Sequence, residues 1–133
     1  HIFVDKSGPK AIKETIDNAR QTLQGGTSLV VFPEGSRSFT GHMGKFRKGA
    51  FQLADELQLP VVPITIDGSF DVLTRMAGLN FVNRHPMRLV IHKPIFPTSN
   101  SPEDIKQTME KAYSDIMSAL PAKYQGYKEN PDQ

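Results

Sequence analysis

The sequence predicts an α/β fold, a largely parallel mixed sheet flanked by helices. Three observations carry that expectation. Strand-like and helix-like runs alternate along the chain. One strand-like run, "SLVVF" (Ser28 to Phe32), is apolar without alternation, the pattern of a strand covered on both faces. Polar clusters follow the first two strand-like runs, where ligands collect beyond the carboxyl ends of parallel strands.

The elements follow in order. "IFV" (Ile2 to Val4) is a short β-type run closed by "DKSGP", in which Ser7 can cap a helix and Pro9 can occupy its first turn. Ala11, Ile12, Thr15, Ile16, Ala19 and Leu23 then recur at helical spacing, and Gly25 and Gly26 end the helix. After "SLVVF" and a polar loop, "KGAFQLADELQ" (Lys48 to Gln58) is again helical in period, with Pro60 as its stop. "VVPITI" (Val61 to Ile66) reads as a strand whose Pro63 implies an edge position or a bulge. "SFDVLTRMAG" (Ser69 to Gly78) has room for a helical turn or two, and "RLVIHKPI" (Arg88 to Ile95) is the last clear strand. A well-signalled helix follows: Ser101 caps, Pro102 takes the first position, Glu103 and Asp104 favour the positive end of the dipole, and Ile105, Met109, Ala112, Ile116 and Leu120 form its apolar face. Residues 121–133 read as a polar, frayed tail.

Composition bounds the function. A chain of 133 residues with 38% hydrophobic and 23% charged residues is one globular domain, neither disordered nor coiled coil. With no Cys, thiolate metal sites and Cys nucleophiles are excluded, and a cytoplasmic setting fits best. No apolar run reaches the roughly 18 residues that span a bilayer, so membrane contact is expected to be peripheral. A formal charge of +2 does not mark a nucleic-acid binder, and only Phe39 and Phe46 interleave with the basic residues; that class ranks last.

The chemistry gathers in "VVFPEGSRSFTGHMGKFRKGAF" (Val30 to Phe51). From Gly35 to Ala54 there is no acidic residue, whereas Arg37, Lys45, Arg47 and Lys48 are all basic. Cations at the end of a strand and ahead of a helix N-terminus suit a phosphate or carboxylate. The residues alone leave a second reading open, in which the cations form a solvated surface, Glu34 pairs with Arg37, and the glycines serve only as turn residues.

"FPEGSRS" resembles the F-P-E-G-T-R-S signature of the glycerolipid acyltransferase family, which acylates glycerol 3-phosphate or 1-acylglycerol 3-phosphate, with Ser36 in place of the commoner Thr. "FVDKSG" resembles the family's G-x-x-F-I-D-R block, "KFRKGAF" its P-F-K-x-G-A stretch and "VVPITI" its V-P-V-x-I block; the four occur in family order from Phe3 to about Ile66. The resemblance implies an acyltransferase-like fold of which residues 1–120 form the C-terminal part, truncated at its N-terminus. The family's catalytic His, four residues, then Asp is missing, because His1, His42, His85 and His92 are followed five places later by Lys6, Arg47, Val90 and Pro97. No catalytic residue is therefore assigned here, and the pair is expected upstream of His1.

The resemblance also assigns a substrate site. Lys6 takes the place of a phosphate-binding Arg without the bidentate fork. Arg37 is implied to bind the acceptor phosphate, Gly35 to permit close backbone approach, and Glu34 to hold the glycerol hydroxyls or fix the loop. Ser38 is a substrate contact or a turn hydroxyl, and Lys48 a phosphate contact or an exposed helix-start residue. Pro63 belongs to a block linked to acyl-donor handling or simply shapes a strand edge. Phe39, Met43 and Phe46 line an acyl path, face the membrane, or pack in the core. Lys6 and Arg37 are expected on one face, flanking a shared groove. The implied reaction passes an acyl group from acyl-CoA or acyl-carrier-protein to lysophosphatidate or a related glycerol phosphate at an anionic membrane surface, with no cofactor, metal or nucleic acid. The competing class is a non-catalytic phosphate or anionic-lipid-binding module. Since the His and Asp are missing, the 133-residue chain by itself is expected to release no thiol from acyl-CoA with lysophosphatidate present. Turnover above the enzyme-free rate would place a base among its own histidines.

Overall fold

A computed structural model describes residues 9–74, 82–99 and 101–127. The chain divides into two compact units, His1–Val31 and Phe32–Gln133, and each is described by itself.

In the first unit, α1 (Pro9–Gln24) starts at the proline whose fixed φ suits a first turn. It ends in a Schellman motif: Gly26 N–H donates to Leu23 O at 3.0 Å, Thr27 N–H to Thr22 O at 3.3 Å, and Gly26 sits at φ +84°. The expected strand "IFV", the expected helix cap Ser7, and Lys6 lie outside the described residues. "SLVVF" forms no strand, which corrects the expectation for Ser28 to Phe32. A strand exists through its ladder, and no neighbouring strand pairs with these residues among those described. Val30 and Phe32 stand 78% and 71% exposed, so the unbroken apolar pattern is not matched by burial here.

The second unit holds α2 (Gly49–Glu56), β1 (Ile64–Asp67), α3 (Ser69–Val72), β2 (Arg88–Ile91) and α4 (Pro102–Ser118), followed by a 3-10 turn at Ala122–Tyr124. The sheet of the described residues is two-stranded and antiparallel, with Ile64 opposite Ile91 and Asp67 opposite Arg88. This corrects the expectation of a largely parallel sheet. A parallel pair needs a crossover of a dozen or more residues, usually a helix, and the only helix described between β1 and β2 is the four-residue α3.

Pro63 divides "VVPITI" in two. Before it, Val61 and Ile95 exchange backbone bonds of 2.9 and 2.8 Å as an isolated bridge. At Pro63 itself, which has no N–H, only the carbonyl takes part, accepting His92 N–H at 3.0 Å; the ladder proper starts one residue later.

One face of this sheet is anchored and the other is exposed. Thr65 is fully buried; its hydroxyl donates to Ile116 O of α4 at 3.0 Å and lies 2.8 Å from His92 Nε2. With that proton given to Ile116, Thr65 Oγ1 accepts from His92, which fixes the ring. On the opposite face Ile64, Ile66, Leu89 and Ile91 are all exposed.

The core lies between α2, α4 and the loop ahead of α2. Met43, Phe46, Phe51, Ile95 and Ala112 are buried, and Val61, Ile105, Met109, Tyr113, Ile116, Met117 and Leu120 pack around them. Phe46 meets Tyr113 edge-on at 5.0 Å and stacks on Phe51 at 6.1 Å. Residues 121–127, expected to be a frayed tail, are partly built into the fold, because the Tyr124 hydroxyl donates to Asp71 at 2.6 Å.

The start of α4 is tied down as its sequence predicts, and more tightly. Ser101 Oγ accepts Asp104 N–H at 3.1 Å. The Asp104 carboxylate accepts the Thr98 hydroxyl at 2.5 Å and the Thr98 and Ser99 N–H groups at 2.9 and 3.0 Å. Those bonds, the Thr98 hydroxyl first, hold its pKa down to about 2. Asp55 of α2, also buried, has its pKa raised by burial and then by its hydrogen bond with Asp104 and that residue's charge. The two shifts act oppositely on stability. Asp104 contributes fully above the ordinary carboxylate range, and the contribution is lost as pH falls toward about 2. Asp55 contributes below that range, and its contribution is lost as pH rises through its raised pKa. Urea unfolding across pH is expected to show greatest stability in mild acid. Asp55→Asn should flatten the decline toward neutral pH and Asp104→Asn should lower stability there; an unchanged profile in Asp55→Asn would rule out the raised Asp55 pKa as its cause.

Candidate functional site

The cationic segment forms a closed loop from Pro33 to Lys48. Its entry is a tight turn in which Gly35 N–H donates to Phe32 O at 3.1 Å, with Pro33 and Gly35 at the positions such turns favour. The two ends are clasped by Arg47 N–H donating to Pro33 O at 2.8 Å. Within the ring, Glu34 Oε2 accepts Gly44 N–H at 2.8 Å across ten residues. Burial raises the Glu34 pKa and the Gly44 N–H opposes that rise. Of the two roles implied for Glu34, the geometry displays the fixing of the loop.

Ser38 likewise appears as a turn hydroxyl. Its Oγ accepts Thr40 N–H at 3.1 Å and Gly41 N–H at 2.9 Å, shaping the outer lobe immediately after Arg37. Arg37 itself is exposed on this loop. Met43 and Phe46 are core residues, so of their suggested roles packing is the one displayed.

Arg47, one of the four cations counted in the sequence but given no role of its own there, is brought to the site by the fold. Its side chain lies against Gly35: a Cβ on Gly35 would be 2.8 Å from Arg47 Nε and 3.1 Å from its Cδ. Gly35 also has φ +71°, so both its conformation and its contact call for glycine. Arg47 is thereby brought to the turn that leads into Arg37. The available signal was Phe46, whose burial turns the next side chain outward. Lys48, chosen instead, is exposed at the residue ahead of α2, where its carbonyl accepts Gln52 N–H at 2.9 Å. Glu34, Gly35, Arg37 and Ser38 thus share one loop with Lys48 at its end, and the pairing of Lys6 with Arg37 lies outside the described residues.

Beside the loop is a cleft of about 270 Å³ lined by Lys45, Phe46, Met109, Glu110, Tyr113 and Tyr127. The Tyr113 hydroxyl is buried with no hydrogen-bond partner among the described residues, and burial, then the charge of Glu34, raises its pKa. The three described histidines have local engagements: His42 Nδ1 lies 3.2 Å from Thr40 O, His85 Nδ1 2.8 Å from Pro86 O, and His92 Nε2 reaches Thr65. No helix among the described residues is long and apolar enough to cross a membrane.

A loop that displays cations through a glycine turn ahead of a helix is an arrangement that can accept an anion. The chain belongs to the acyltransferase family, whose model, described as Acyltransferase, matches residues 1–67. It is 37% identical over 96 residues to a chloroplastic 1-acyl-sn-glycerol-3-phosphate acyltransferase of Brassica napus, covering 71% of this chain and 27% of that protein. It is 32% identical over 122 residues to a 1-acyl-sn-glycerol-3-phosphate acyltransferase of Cocos nucifera, covering 91% and 39%, and 30% identical over 121 residues to the protein of that name in Saccharomyces cerevisiae, covering 89% and 39%. The chain therefore spans well under half the length of these three relatives. No solved structure matches it.

Because Glu34 holds Gly44 N–H in a half-buried setting, Glu34→Ala is expected to cost about 1–3 kcal/mol by leaving that donor unpaired. Glu34→Gln, which keeps an acceptor oxygen, should cost less. Urea midpoints of the two variants check this, and equal midpoints for Glu34→Ala and the parent chain would refute it.

Proposed function

We propose that this chain is the acceptor-binding part of an O-acyltransferase that moves a fatty acyl group onto the free hydroxyl of 1-acylglycerol 3-phosphate. The observation that carries the reading is the closed Pro33–Lys48 loop, in which the Arg47 side chain lies over Gly35, in the turn that leads into Arg37. The names of the relatives support the acceptor class.

In this reading the Arg37 guanidinium takes the acceptor's phosphate through charge-assisted hydrogen bonds, and Arg47 adds a second cation. Lys6 and Lys48 are further candidates for the same anion. The phosphate is held so that the neighbouring hydroxyl stands at attacking distance, which gains rate by positioning. A His oriented by an Asp, supplied from outside these 133 residues, takes the hydroxyl proton. The oxygen attacks the thioester carbonyl of acyl-CoA or acyl-carrier-protein, the carbon–sulfur bond breaks, and the thiol leaves with a proton. The cleft beside Phe46 is apolar enough for part of an acyl chain. Its companion Lys45, with the other cations of the loop, draws the protein to anionic lipid at about 1 kcal/mol per cation near such a surface.

Arg37→Ala in the intact protein is expected to lower kcat/KM for the lysophosphatidate acceptor by about 2–4 kcal/mol of transition-state stabilisation, and Arg37→Lys to restore little of it. If Arg37→Ala left acceptor use unchanged, the phosphate assignment would be wrong and an anion module without catalysis, or a structural loop, would replace it.

A further inference from the structure

Tyr124 closes over the cationic loop from the far end of the chain. Gly41, in the lobe that follows Arg37, has φ +79°, and a Cβ there would be 2.7 Å from Tyr124 Cδ1 and 3.0 Å from Phe70 Cδ1. The Tyr124 ring meets Phe70 of α3 edge-on at 5.8 Å and His42 edge-on at 6.1 Å, so it touches the lobe at Gly41 and at the residue after it. The ring is in turn held by α3. Its hydroxyl donates to Asp71 Oδ1 at 2.6 Å, Lys123 Nζ donates to the same oxygen at 3.1 Å, and that ammonium lies 4.5 Å over the Tyr124 ring. His85 Nε2 stands 4.0 Å from Asp71 Oδ2 on the other side of the carboxylate.

We propose that Tyr124, anchored by Asp71, is a positioning residue for the phosphate-binding loop: it fixes the lobe Ser38–His42 from outside and so sets where Arg37 is presented. The inference rests on the reading of Arg37 as the acceptor-phosphate ligand. Its physical basis is a contact that reaches the lobe from the far end of the chain and is itself bonded to α3. The Ser38 hydroxyl shapes the turn, but among the contacts described the Gly41 backbone is held from elsewhere in the fold by the Tyr124 and Phe70 rings. An aromatic ring pressed on a glycine backbone and bonded to a carboxylate restrains the lobe. Asp71 suits the task because the Tyr124 hydroxyl, then Lys123, holds its carboxyl below the ordinary range, against the opposing effect of burial.

The test is steady-state kinetics on the intact protein with lysophosphatidate and acyl-CoA. Tyr124→Phe keeps the ring and removes the bond to Asp71; it is expected to raise the acceptor KM about three- to tenfold with the acyl-CoA KM unchanged. Asp71→Asn, which keeps an acceptor oxygen but loses the charge that holds Lys123, should give a smaller rise in the same constant. In an Arg37→Ala background, Tyr124→Phe should add nothing further, because the two act through one contact. A Tyr124→Phe protein with the parent's acceptor KM, a parallel rise in both substrate constants, or full additivity with Arg37→Ala each overturns the clamp while leaving the Arg37 assignment standing. An Arg37→Ala protein with unchanged acceptor kinetics overturns both.

Discussion

The bond from Gly44 N–H to Glu34 Oε2 is the constraint on which the rest of the site depends. It joins residues ten apart, and it does so where the chain must reverse with a half-buried carboxylate inside it. Closing a short loop costs entropy before any ligand arrives. The cost is offset by neighbouring features of the same segment. Arg47 N–H donates to Pro33 O at the loop's neck, and Met43 and Phe46 bury their side chains in the core against α2 and α4. The cations are therefore exposed on a closed loop whose Met43 and Phe46 are committed inward.

Much of this was legible in the residues. α1, α2 and α4 follow their periodicity, with Gly26 ending α1 and Ser101 starting α4 where their chemistry predicts. Pro63 was readable as an interruption, since a residue without an N–H must break a ladder. The sheet was not. A strand is defined by its neighbour, so "SLVVF" carries a strong β pattern yet forms no strand beside the described residues, and the antiparallel partnership of Ile64–Asp67 with Arg88–Ile91 depends on a connection whose direction no local pattern encodes. At the site, Glu34, Gly35, Arg37 and Ser38 stood out because they are adjacent, whereas Arg47 reaches Gly35 only through the fold.

The second half of the chain, which in sequence offered only generic strands and helices, supplies the supports. Thr65 joins β1 to Ile116 of α4, Tyr113 packs on Phe46, and the Asp55 and Asp104 carboxyls meet where α2 and α4 touch. The last described turn reaches back to Asp71. Residues with no signature of their own thus hold the residues that have one, which is why a pattern search ends near Ile66 while the packing does not.

The exposed side of the two-stranded sheet has a consequence for handling this polypeptide. Ile64 faces Ile91 and Ile66 faces Leu89 across the ladder, so four branched side chains form one continuous oily patch in water. Such patches drive self-association, and a formal net charge of +2 provides little electrostatic repulsion to oppose it. Solubility of the isolated 133 residues is accordingly a colloidal matter set by concentration and salt as much as by folding.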